Sequence, residues 1–599
     1  MNYLKNSLIN VGEFLVATQA YFRDVLVMHG VILFIIIPLL SNSTQFILKR
    51  GHIHYLSYDN LGDILVNHPA VALSLVLILL IILLVVFFEF TFLLLSVYFI
   101  KKKQPVSLRQ LLRMTLLQIK KLRPSVFLFF LFYFFLILPL GGLSFNSDLL
   151  SKIKIPAFIQ EFIFSNRVWV VSSFVLFYLA LLYVGIRVIF ALPEMILSDL
   201  PFREAIRESL RSTKRRFFAI VGQFIAIGVS ILAVVAVGFG IVLLLQLLIE
   251  NYFPDLSLSS AVFAMTFLQF FLLLNIIFST VGIFYIIIDF MDDENFLPEI
   301  PEWFYQEPLG KKRHKKTWDT LLIVLAIFFG IGVALYNMNY LTSSSPTIPL
   351  TFSHRGVSDR NGVQNSLTAL EKTSKFKPDY VEMDVQLTKD KQFIVVHDFN
   401  LRNLTGVNKK PGDLTLAQLE KLTVKENGQH APLVSFDAYL EKAQELDQKL
   451  LIEIKTQEKD VTPTVDTFLE KYATVIHENQ YMVQSLSYPV VEEIKTKEPT
   501  IQTGYILPFN LVGSPITKAD FLTMEYSTIN RNFINAAKAD GKKVIVWTPN
   551  SEEGMSRMIF YGVDGIITDQ MPALNQAVKN AKKPMTYSDK LINFVIGVG

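Results

Sequence analysis

The sequence of 599 residues contains no cysteine. This absence excludes disulfide bonds, cysteine-ligated zinc, iron–sulfur clusters and thiol chemistry. Charge is also scarce, because 18% of the residues are charged, whereas an ordinary soluble domain carries about 25%. The formal net charge of +4 is too small to indicate nucleic acid as a main partner. Hydrophobic residues make up 52% of the chain, which excludes an intrinsically disordered protein and a single soluble globule.

The hydrophobic residues are concentrated before about residue 340. Seven segments there are apolar over the roughly 20 residues that a membrane-spanning helix needs. These segments are 25–41, 70–97, 125–143, 168–192, 218–249, 261–288 and 318–337. The sequence therefore predicts a multi-span α-helical membrane domain over residues 1–340. For the first segment a re-entrant or surface helix is an alternative, because His29 and Gly30 interrupt it.

Basic residues indicate the orientation of this domain. The loops rich in lysine and arginine are 101–124, 193–217 and 289–317. Such loops face the cytoplasm, so seven spans would place residues 338–599 outside the cell. We therefore expect a multi-pass protein of the cell membrane with an extracellular C-terminal part. The basic cluster at 311–316 directly precedes the last predicted span, which favours this topological role over a nucleic-acid patch.

The C-terminal part has the composition of a soluble domain. A linker at 341–347 leads to nine strand-like segments, and helical segments lie between many of them. The nine are 349–353, 380–387, 393–397, 449–454, 481–485, 503–507, 521–526, 543–548 and 565–568. This alternation predicts a (β/α)8 TIM-type barrel over 348–585. One strand is surplus, and we assign the surplus to 503–507 or 521–526. The C-terminal tail 586–599 contains an apolar run at 591–598 that is too short to span a membrane, and we expect it to dock on the barrel or on the membrane.

Ionisable residues lie in or directly after the first four strand-like segments. They are His354 and Arg355, Glu382 and Asp384, His397 and Asp398, and Glu453 and Lys455. In a TIM-type barrel the active site forms at the C-terminal ends of the strands. Residues i and i+2 of a strand share a face. We therefore expect the carboxylates of Glu382, Asp384 and Glu453 to converge at the barrel mouth.

These residue types suit phosphodiester cleavage. Three carboxylates fit a hard divalent cation such as Ca²⁺ or Mg²⁺. Arg355 offers a planar fork for a phosphate and Lys455 a point charge, while His354 and His397 can act as acid and base. Each motif alone also fits a solvated strand face, a capped turn or a surface salt bridge. Their placement at successive strand ends favours the catalytic interpretation.

The motifs around these residues resemble those of a known family. They are Ser353-His354-Arg355-Gly356, Gln364-Asn365-Ser366, Val381-Glu382-Met383-Asp384-Val385, Val395-Val396-His397-Asp398, Ile452-Glu453-Ile454-Lys455, Val546-Trp547-Thr548-Pro549-Asn550 and Gly562-Val563-Asp564-Gly565-Ile566-Ile567-Thr568-Asp569. Over roughly 348–575 the chain resembles the glycerophosphodiester phosphodiesterase family. The hydrophobic N-terminal part is similar to the membrane domain that precedes this catalytic domain in some Gram-positive members.

The resemblance implies a fold and a set of roles. The fold is a TIM-type barrel with an insertion after the third strand, here about 399–435, and the cofactor is a divalent cation, often Ca²⁺ or Mg²⁺. The implied roles are metal binding by Glu382, Asp384 and Glu453, acid–base catalysis by His354 and His397, phosphate binding by Arg355 and Lys455, and a wall of the alcohol pocket from Trp547. Which histidine is the acid stays open.

One position departs from the family pattern. Members commonly have Glu-Asn where this chain has Gln364-Asn365. The loss of that charge would weaken the cation site or alter its hydrogen bonds. Because the other motif residues are present, activity is still expected.

The sequence thus predicts an outward-facing, membrane-anchored enzyme that hydrolyses glycerophosphodiesters to glycerol 3-phosphate and an alcohol. Its expected substrates are deacylated phospholipids, lipid head groups or the polyglycerophosphate of lipoteichoic acid. One alternative is a phospholipase-type enzyme acting on intact membrane lipid. The other is a catalytically degenerate barrel that serves as a binding or scaffold module.

Overall fold

The computed structural model describes most of the chain. The described residues are 21–53, 56, 60–104, 106–119, 168–214, 216–293, 296–300, 315–342, 348–426, 428–457, 460–508, 514–583 and 585–598. The predicted span 125–143 lies outside them.

The N-terminal part is helical. The helices are α1 Tyr21–Arg50, α2 Leu61–Asn67, α3 Pro69–Lys101, α4 Leu108–Ile119, α5 Val168–Arg187, α6 Ala191–Leu197, α7 Phe202–Thr213, α8 Phe217–Tyr252, α9 Ser257–Asp293 and α10 Lys315–Thr342. Among the residues that the structure describes, five apolar segments are long enough to cross a membrane: α1, α3, α5 with α6, α8, and α9 with its preceding turn. They coincide with five of the seven predicted spans, and the predicted span 318–337 falls within α10.

Aromatic residues form the centre of the helical domain. The ring of Phe90 on α3 lies 4.9 Å from that of Phe284 on α9, measured between centroids. Phe190, at the start of α6, stacks on Phe290 of α9 at 5.1 Å. Helix α8 is apolar on all sides and leaves residues such as Leu232 exposed. Helices of this kind are stable when lipid or protein covers their outer faces.

The C-terminal part is a closed barrel. Its strands are β1 Leu350–Ser353, β2 Tyr380–Leu387, β6 Leu450–Lys455, β7 Met482–Ser485, β8 Thr503–Leu507, β9 Phe521–Glu525, β10 Lys543–Trp547 and β11 Gly565–Thr568. All eight are parallel, and β1 closes the barrel by pairing with both β11 and β2. Buried apolar runs such as Val544 to Val546 are typical of parallel strands that are covered on both faces. The predicted fold class is confirmed.

The assignment of the surplus strand was wrong. Segments 503–507 and 521–525 both belong to the barrel, as β8 and β9. The extra strand is β3, Phe393–Val395, which pairs antiparallel with the end of β2. Strand β2 has eight residues, so it extends beyond the barrel, and the chain folds back along it. Hydrophobic periodicity does not distinguish a parallel barrel strand from such an antiparallel return.

Helices surround the strands and short elements fill the insertion. The helices are α11 Leu367–Ser374, α12 Arg402–Thr405, α13 Leu416–Leu419, α14 Phe436–Glu445, α15 Val461–Glu478, α16 Tyr488–Lys497, α17 Arg531–Ala539, α18 Glu552–Tyr561 and α19 Met571–Ala581. The side chains of Ser366, Ser435 and Ser551 cap the starts of α11, α14 and α18. The insertion contains α12, α13 and a hairpin of β4 Thr423–Glu426 with β5 Gln429–Pro432.

The last helix, α20 Tyr587–Val598, attaches the barrel to the membrane domain. Ser588 Oγ donates to Glu250 Oε2 of α8 at 2.5 Å, and Lys590 Nζ donates to the carbonyl of Leu341 on α10 at 2.5 Å. Leu591 is fully buried among residues of α9 and α10. The tail, whose docking partner the sequence left open, therefore packs on the membrane helices.

Candidate active site

Three acidic side chains meet at the barrel mouth and form the carboxylate cluster: Glu382, Asp384 and Glu453. The register of β2 with β6 places Asp384 directly opposite Glu453. All three are buried, and one oxygen of each lies within 4.8 Å of the others. Oδ1 of Asp384 accepts no hydrogen bond from any residue that the structure describes. Such a set of oxygen ligands fits Ca²⁺ or Mg²⁺.

The electrostatics of the cluster favour a bound cation. Burial, together with the charges of Asp384 and Glu453, raises the pKa of Glu382 well above its usual value. With all three carboxylates ionised, the cluster and the two basic side chains of Arg355 and Lys455 carry one net negative charge. A divalent cation would change this to one positive charge, which would complement the single negative charge of a phosphodiester.

Lys455 lies inside the carboxylate cluster. Its Nζ is 2.5 Å from Glu453 Oε1 and 3.4 Å from Asp384 Oδ1. Burial disfavours the charged amine, but the two carboxylates outweigh this and raise the pKa of Lys455 above its usual value. Lys455 therefore stays charged, as its predicted role at the phosphate requires.

Arg355 and the residue that departs from the family pattern contact each other. Arg355 Nη1 donates to Gln364 Oε1 at 2.8 Å. The Gln364 backbone N–H and its Nε2 donate to Glu426 at 2.8 and 2.7 Å. Position 364 carries an amide where family members commonly carry a carboxylate. The carboxylate of Glu426, at the end of β4 in the insertion, lies hydrogen-bonded to this amide. The neighbouring Asn365 donates to Asp384 Oδ2 at 2.8 Å and orients that carboxylate.

His354 belongs to a chain of hydrogen bonds. It follows β1, and its Nδ1 lies 2.8 Å from Asp569 Oδ1. Asn550 Nδ2 donates to the other carboxylate oxygen of Asp569 at 2.9 Å. Burial would raise the pKa of Asp569, but His354 and Asn550 hold it below its usual value. A charged Asp569 fixes the ring of His354 and leaves its Nε2 available for proton transfer.

His397 has a similar partner. Its Nδ1 lies 2.8 Å from Asp398 Oδ1. Burial lowers the pKa of His397 below its usual value, although the nearby Asp384 carboxylate opposes this. The buried Nε2 of Gln386 donates to the carbonyls of Val396, His397 and Asp398 at 3.0, 3.2 and 3.1 Å. Gln386 therefore fixes the turn after β3 that carries the second histidine.

Trp547 ends β10 and lies at the same mouth of the barrel as the two histidines. Its side chain is half-buried and packs against the apolar group that includes Phe352 and Ile567. The role of Trp547 in the alcohol pocket stays a prediction.

Four positioning residues were not assigned from the sequence. Gln386 lies two positions after Asp384 on the same strand face, so strand periodicity could have indicated it. Asp569 follows the last barrel strand, and Asn550 lies shortly after β10, both at the catalytic end. No sequence pattern indicated Glu426. It lies in the insertion, and the folding of the insertion brings it next to Gln364.

The comparisons with known proteins match both parts of the chain. Residues 9–334 match the family model described as the membrane domain of glycerophosphoryl diester phosphodiesterase. Residues 354–573 match the glycerophosphoryl diester phosphodiesterase family. The barrel and its site thus define a phosphoric diester hydrolase within a multi-pass membrane protein. The chain belongs to the glycerophosphoryl diester phosphodiesterase family, as the sequence motifs indicated.

Relatives of known name match the catalytic part. The glycerophosphodiester phosphodiesterase of Caldanaerobacter subterraneus is 28% identical over 243 residues, which cover 38% of this chain and 98% of the relative. The enzyme of the same name from Bacillus subtilis is 26% identical over 43% of this chain and 97% of its own length. Human lysophospholipase D GDPD3 is 24% identical over 40% of this chain and 88% of its own length.

Solved structures also resemble the barrel part. A glycerophosphodiester phosphodiesterase from Parabacteroides distasonis is 22% identical, with a TM-score of 0.35, and covers 40% of this chain and 100% of that structure. An Oleispira antarctica phosphodiesterase in complex with the product sn-glycerol-3-phosphate is 21% identical, also with a TM-score of 0.35. The match covers 39% of this chain and 97% of that structure.

Proposed function

We propose that this protein hydrolyses glycerophosphodiesters to glycerol 3-phosphate and an alcohol in a metal-dependent reaction on the outer side of the cell membrane. The observation that carries the proposal is the buried carboxylate cluster with Arg355 and Lys455 beside it. Three buried carboxylates at this distance repel one another, and nearby positive charge relieves this repulsion. The positive charge of Arg355, Lys455 and a bound cation would also attract a phosphodiester anion.

The geometry supports the proposed roles of the site residues. Glu382, Asp384 and Glu453 would hold a divalent cation, which supplies charge neutralisation and Lewis acidity at the phosphate. Arg355, oriented by Gln364, and Lys455 would bind the non-bridging oxygens of the phosphate. The positive side chains stabilise the charge that develops in the transition state.

The two histidines would transfer the protons. Each uses its Nδ1 for a neighbouring carboxylate, Asp569 for His354 and Asp398 for His397. Each therefore keeps its Nε2 for the substrate. One histidine accepts the proton of the attacking hydroxyl, which belongs to a water molecule or to the neighbouring carbon of the glycerol. In the second case a cyclic phosphate forms, and water then opens it to glycerol 3-phosphate. The other gives a proton to the leaving alcohol oxygen.

Metal dependence is tested with the full-length protein in lipid nanodiscs. We expect release of glycerol 3-phosphate from glycerophosphocholine with Ca²⁺ or Mg²⁺ and none after chelation. Replacing Glu453 with Gln should lower the metal affinity, while His354→Ala should leave metal binding intact and stop turnover. Release that continues in chelator would contradict the metal site.

The outward orientation is supported by the basic loops and by one contact. Helix α2, in the loop between the first two spans, lines the same cavity as Glu453. The shared cavity supports a placement of this loop and the barrel on the same side of the membrane, as seven spans would require. The test uses the absence of cysteine. In intact cells a membrane-impermeant maleimide should label Ile516→Cys on the exposed barrel surface. It should label Arg109→Cys in loop 101–124 only after permeabilisation.

The physiological substrate is a separate part of the proposal. Position in the membrane favours phosphodiesters that occur at its outer surface: deacylated phospholipids, lipid head groups or the polyglycerophosphate of lipoteichoic acid. Incubation of the enzyme with each, followed by assay of glycerol phosphate, distinguishes them. A scaffold function is disfavoured because both histidines retain their carboxylate partners.

A further inference from the structure

Tyr439 is a buried tyrosine that lies behind the active site and takes no part in the proposed reaction. It belongs to α14, and its side chain is fully buried in an apolar group that includes Leu370 and Val381. A hydroxyl in such a position needs a hydrogen-bond partner, because its removal from water is costly. Among the residues that the structure describes, the Tyr439 hydroxyl has none.

The Tyr439 hydroxyl lies against the turn that follows β1. This turn, His354–Gly356, carries one of the two histidines and the arginine expected at the phosphate. A β-carbon at Gly356 would lie 2.7 Å from the Tyr439 oxygen, and the φ of this glycine is +66°. Gly356 therefore allows the hydroxyl to approach the backbone of the turn.

The same turn connects Tyr439 to the carboxylate cluster. The backbone N–H of Arg355, next to Gly356, donates to Glu382 Oε2 at 2.8 Å. Burial, together with the charges of Glu382 and Asp384, raises the pKa of Tyr439 above its usual value. The hydroxyl thus keeps its proton. A neutral donor therefore lies near two buried carboxylates.

Two other buried polar atoms at this end of the barrel also lack a hydrogen-bond partner within the described part of the chain. They are Nε of Arg355 and Oδ1 of Asp384. Native proteins keep few such atoms, because each one lowers stability. Arg355 and Asp384 belong to the groups expected to contact phosphate and cation. The third unpartnered atom, the Tyr439 hydroxyl, is most simply explained by a role in the same loaded site.

We propose that Tyr439 is a positioning residue of the cation site, and that its hydroxyl stabilises the charged form of Glu382 that binds a divalent cation. The inference rests on the cation site of the proposed function and adds a supporting group from α14, outside the barrel strands. Groups that support metal ligands in this way contribute about 10- to 100-fold to metal affinity. The protein without cation bears the cost of the buried hydroxyl, and the protein with cation uses it.

The first test separates this role from ordinary packing. Tyr439→Phe removes only the hydroxyl. In the full-length protein in nanodiscs of zwitterionic lipid, we expect the Ca²⁺ affinity, measured by titration calorimetry, to fall about tenfold. The melting temperature of the cation-free variant should rise by about 2–4 °C, because an unpartnered buried hydroxyl has been removed. The increase in melting temperature that Ca²⁺ causes should be smaller than in the unaltered protein.

Tyr472→Phe is the matched control. Tyr472 of α15 is also buried, but its hydroxyl donates to Asp437 Oδ1 at 2.8 Å. Removing this hydroxyl should lower the melting temperature by the same amount with and without Ca²⁺, because a hydrogen bond is lost. The Ca²⁺ affinity of this variant should equal that of the unaltered protein.

Two outcomes would overturn the inference. Equal Ca²⁺ affinities of Tyr439→Phe and the unaltered protein would show that the hydroxyl does not support the cation site. A melting temperature that falls equally with and without Ca²⁺, as expected for Tyr472→Phe, would show that the Tyr439 hydroxyl has an ordinary structural role.

Activity is measured in the same samples and is judged separately. The Ca²⁺ concentration for half-maximal turnover of glycerophosphocholine should rise about tenfold in Tyr439→Phe and stay the same in Tyr472→Phe. If the unaltered protein bound Ca²⁺ but hydrolysed no phosphodiester, the proposed function would fail, and calorimetry would still decide the role of Tyr439. If it bound neither Ca²⁺ nor Mg²⁺, the cation site and the inference would both be wrong.

Discussion

At the residue scale, the site depends on side chains that hold the predicted catalytic groups in place. Gln364 is the clearest example. The sequence suggested a lost charge, but the structure places Glu426 against the amide, so that charge remains near Arg355. A motif gives the residue at one position, but it does not give the residue that a distant loop brings beside it.

Exchanging the two side chains tests this substitution of charge. Gln364→Glu should lower the melting temperature and the activity, because two carboxylates would then lie within hydrogen-bond distance of each other. Adding Glu426→Gln should restore most of both, since the amide and the carboxylate have only changed places. Melting curves and kcat/KM of the two single variants and the double variant measure the coupling. Additive losses would contradict a direct Gln364–Glu426 contact.

Asp569 should matter for catalysis more than for metal binding. We expect Asp569→Asn to reduce kcat about 10²- to 10⁴-fold, because the amide no longer fixes the useful tautomer of His354. The metal affinity of this variant, measured by titration, should stay within a factor of about two or three of the wild-type value. A kcat close to that of the unaltered protein would show that His354 needs no such partner.

The same residue predicts an acid dependence of stability. The pKa of Asp569 is lower in the folded protein than in the unfolded chain. Its stabilising contribution is therefore complete above the unfolded value of about 3.9 and is lost as the pH falls through the folded value. The melting temperature of the unaltered protein should fall more steeply below about pH 4 than that of Asp569→Asn. Parallel curves would contradict this assignment.

At the element scale, β3 explains how His397 reaches the active site. The barrel fold and the convergence of the carboxylates were predictable, because strand alternation and the i, i+2 rule are local properties. The antiparallel direction of β3 could not be predicted, because it depends on how far β2 extends beyond the barrel. His397 is therefore presented by a returning strand and not by a barrel strand.

Gln386 should control that presentation. Gln386→Met keeps the volume but removes the donor to three carbonyls, so the turn with His397 should loosen. We expect a stability loss of about 1–3 kcal/mol and a lower kcat with little change in metal affinity. Thermal melting, kcat and metal titration check this. An unchanged kcat would show that β3 alone fixes the turn.

At the scale of the whole molecule, α20 and α10 join the barrel to the membrane helices from both ends of the catalytic part. Arg531 of α17 adds to the junction, with its guanidinium 5.4 Å from the ring of Tyr340 on α10 and 5.6 Å from that of Phe560. Sequence alone located the tail but not its partner, because an amphipathic helix can pack on any apolar surface.

Disrupting α20 should loosen the barrel from the membrane helices. Leu591→Asp places a charge in a fully buried position between α9 and α10. We expect a lower melting temperature of the full-length protein in nanodiscs, because a buried, unpaired charge is costly. Ile592→Asp, a partly exposed neighbour, is the control and should melt like the unaltered protein. Equal melting temperatures of the two variants would show that docking of α20 does not stabilise the protein.

The attachment at both ends also sets how such an enzyme would meet its substrate. A barrel held by α10 at its start and α20 at its end cannot swing far from the membrane surface. A substrate that lies in the bilayer would then reach the enzyme by lateral diffusion in two dimensions. The turnover rate would follow the surface density of substrate in the bilayer, expressed as a mole fraction of lipid, and would be insensitive to dilution of the vesicles.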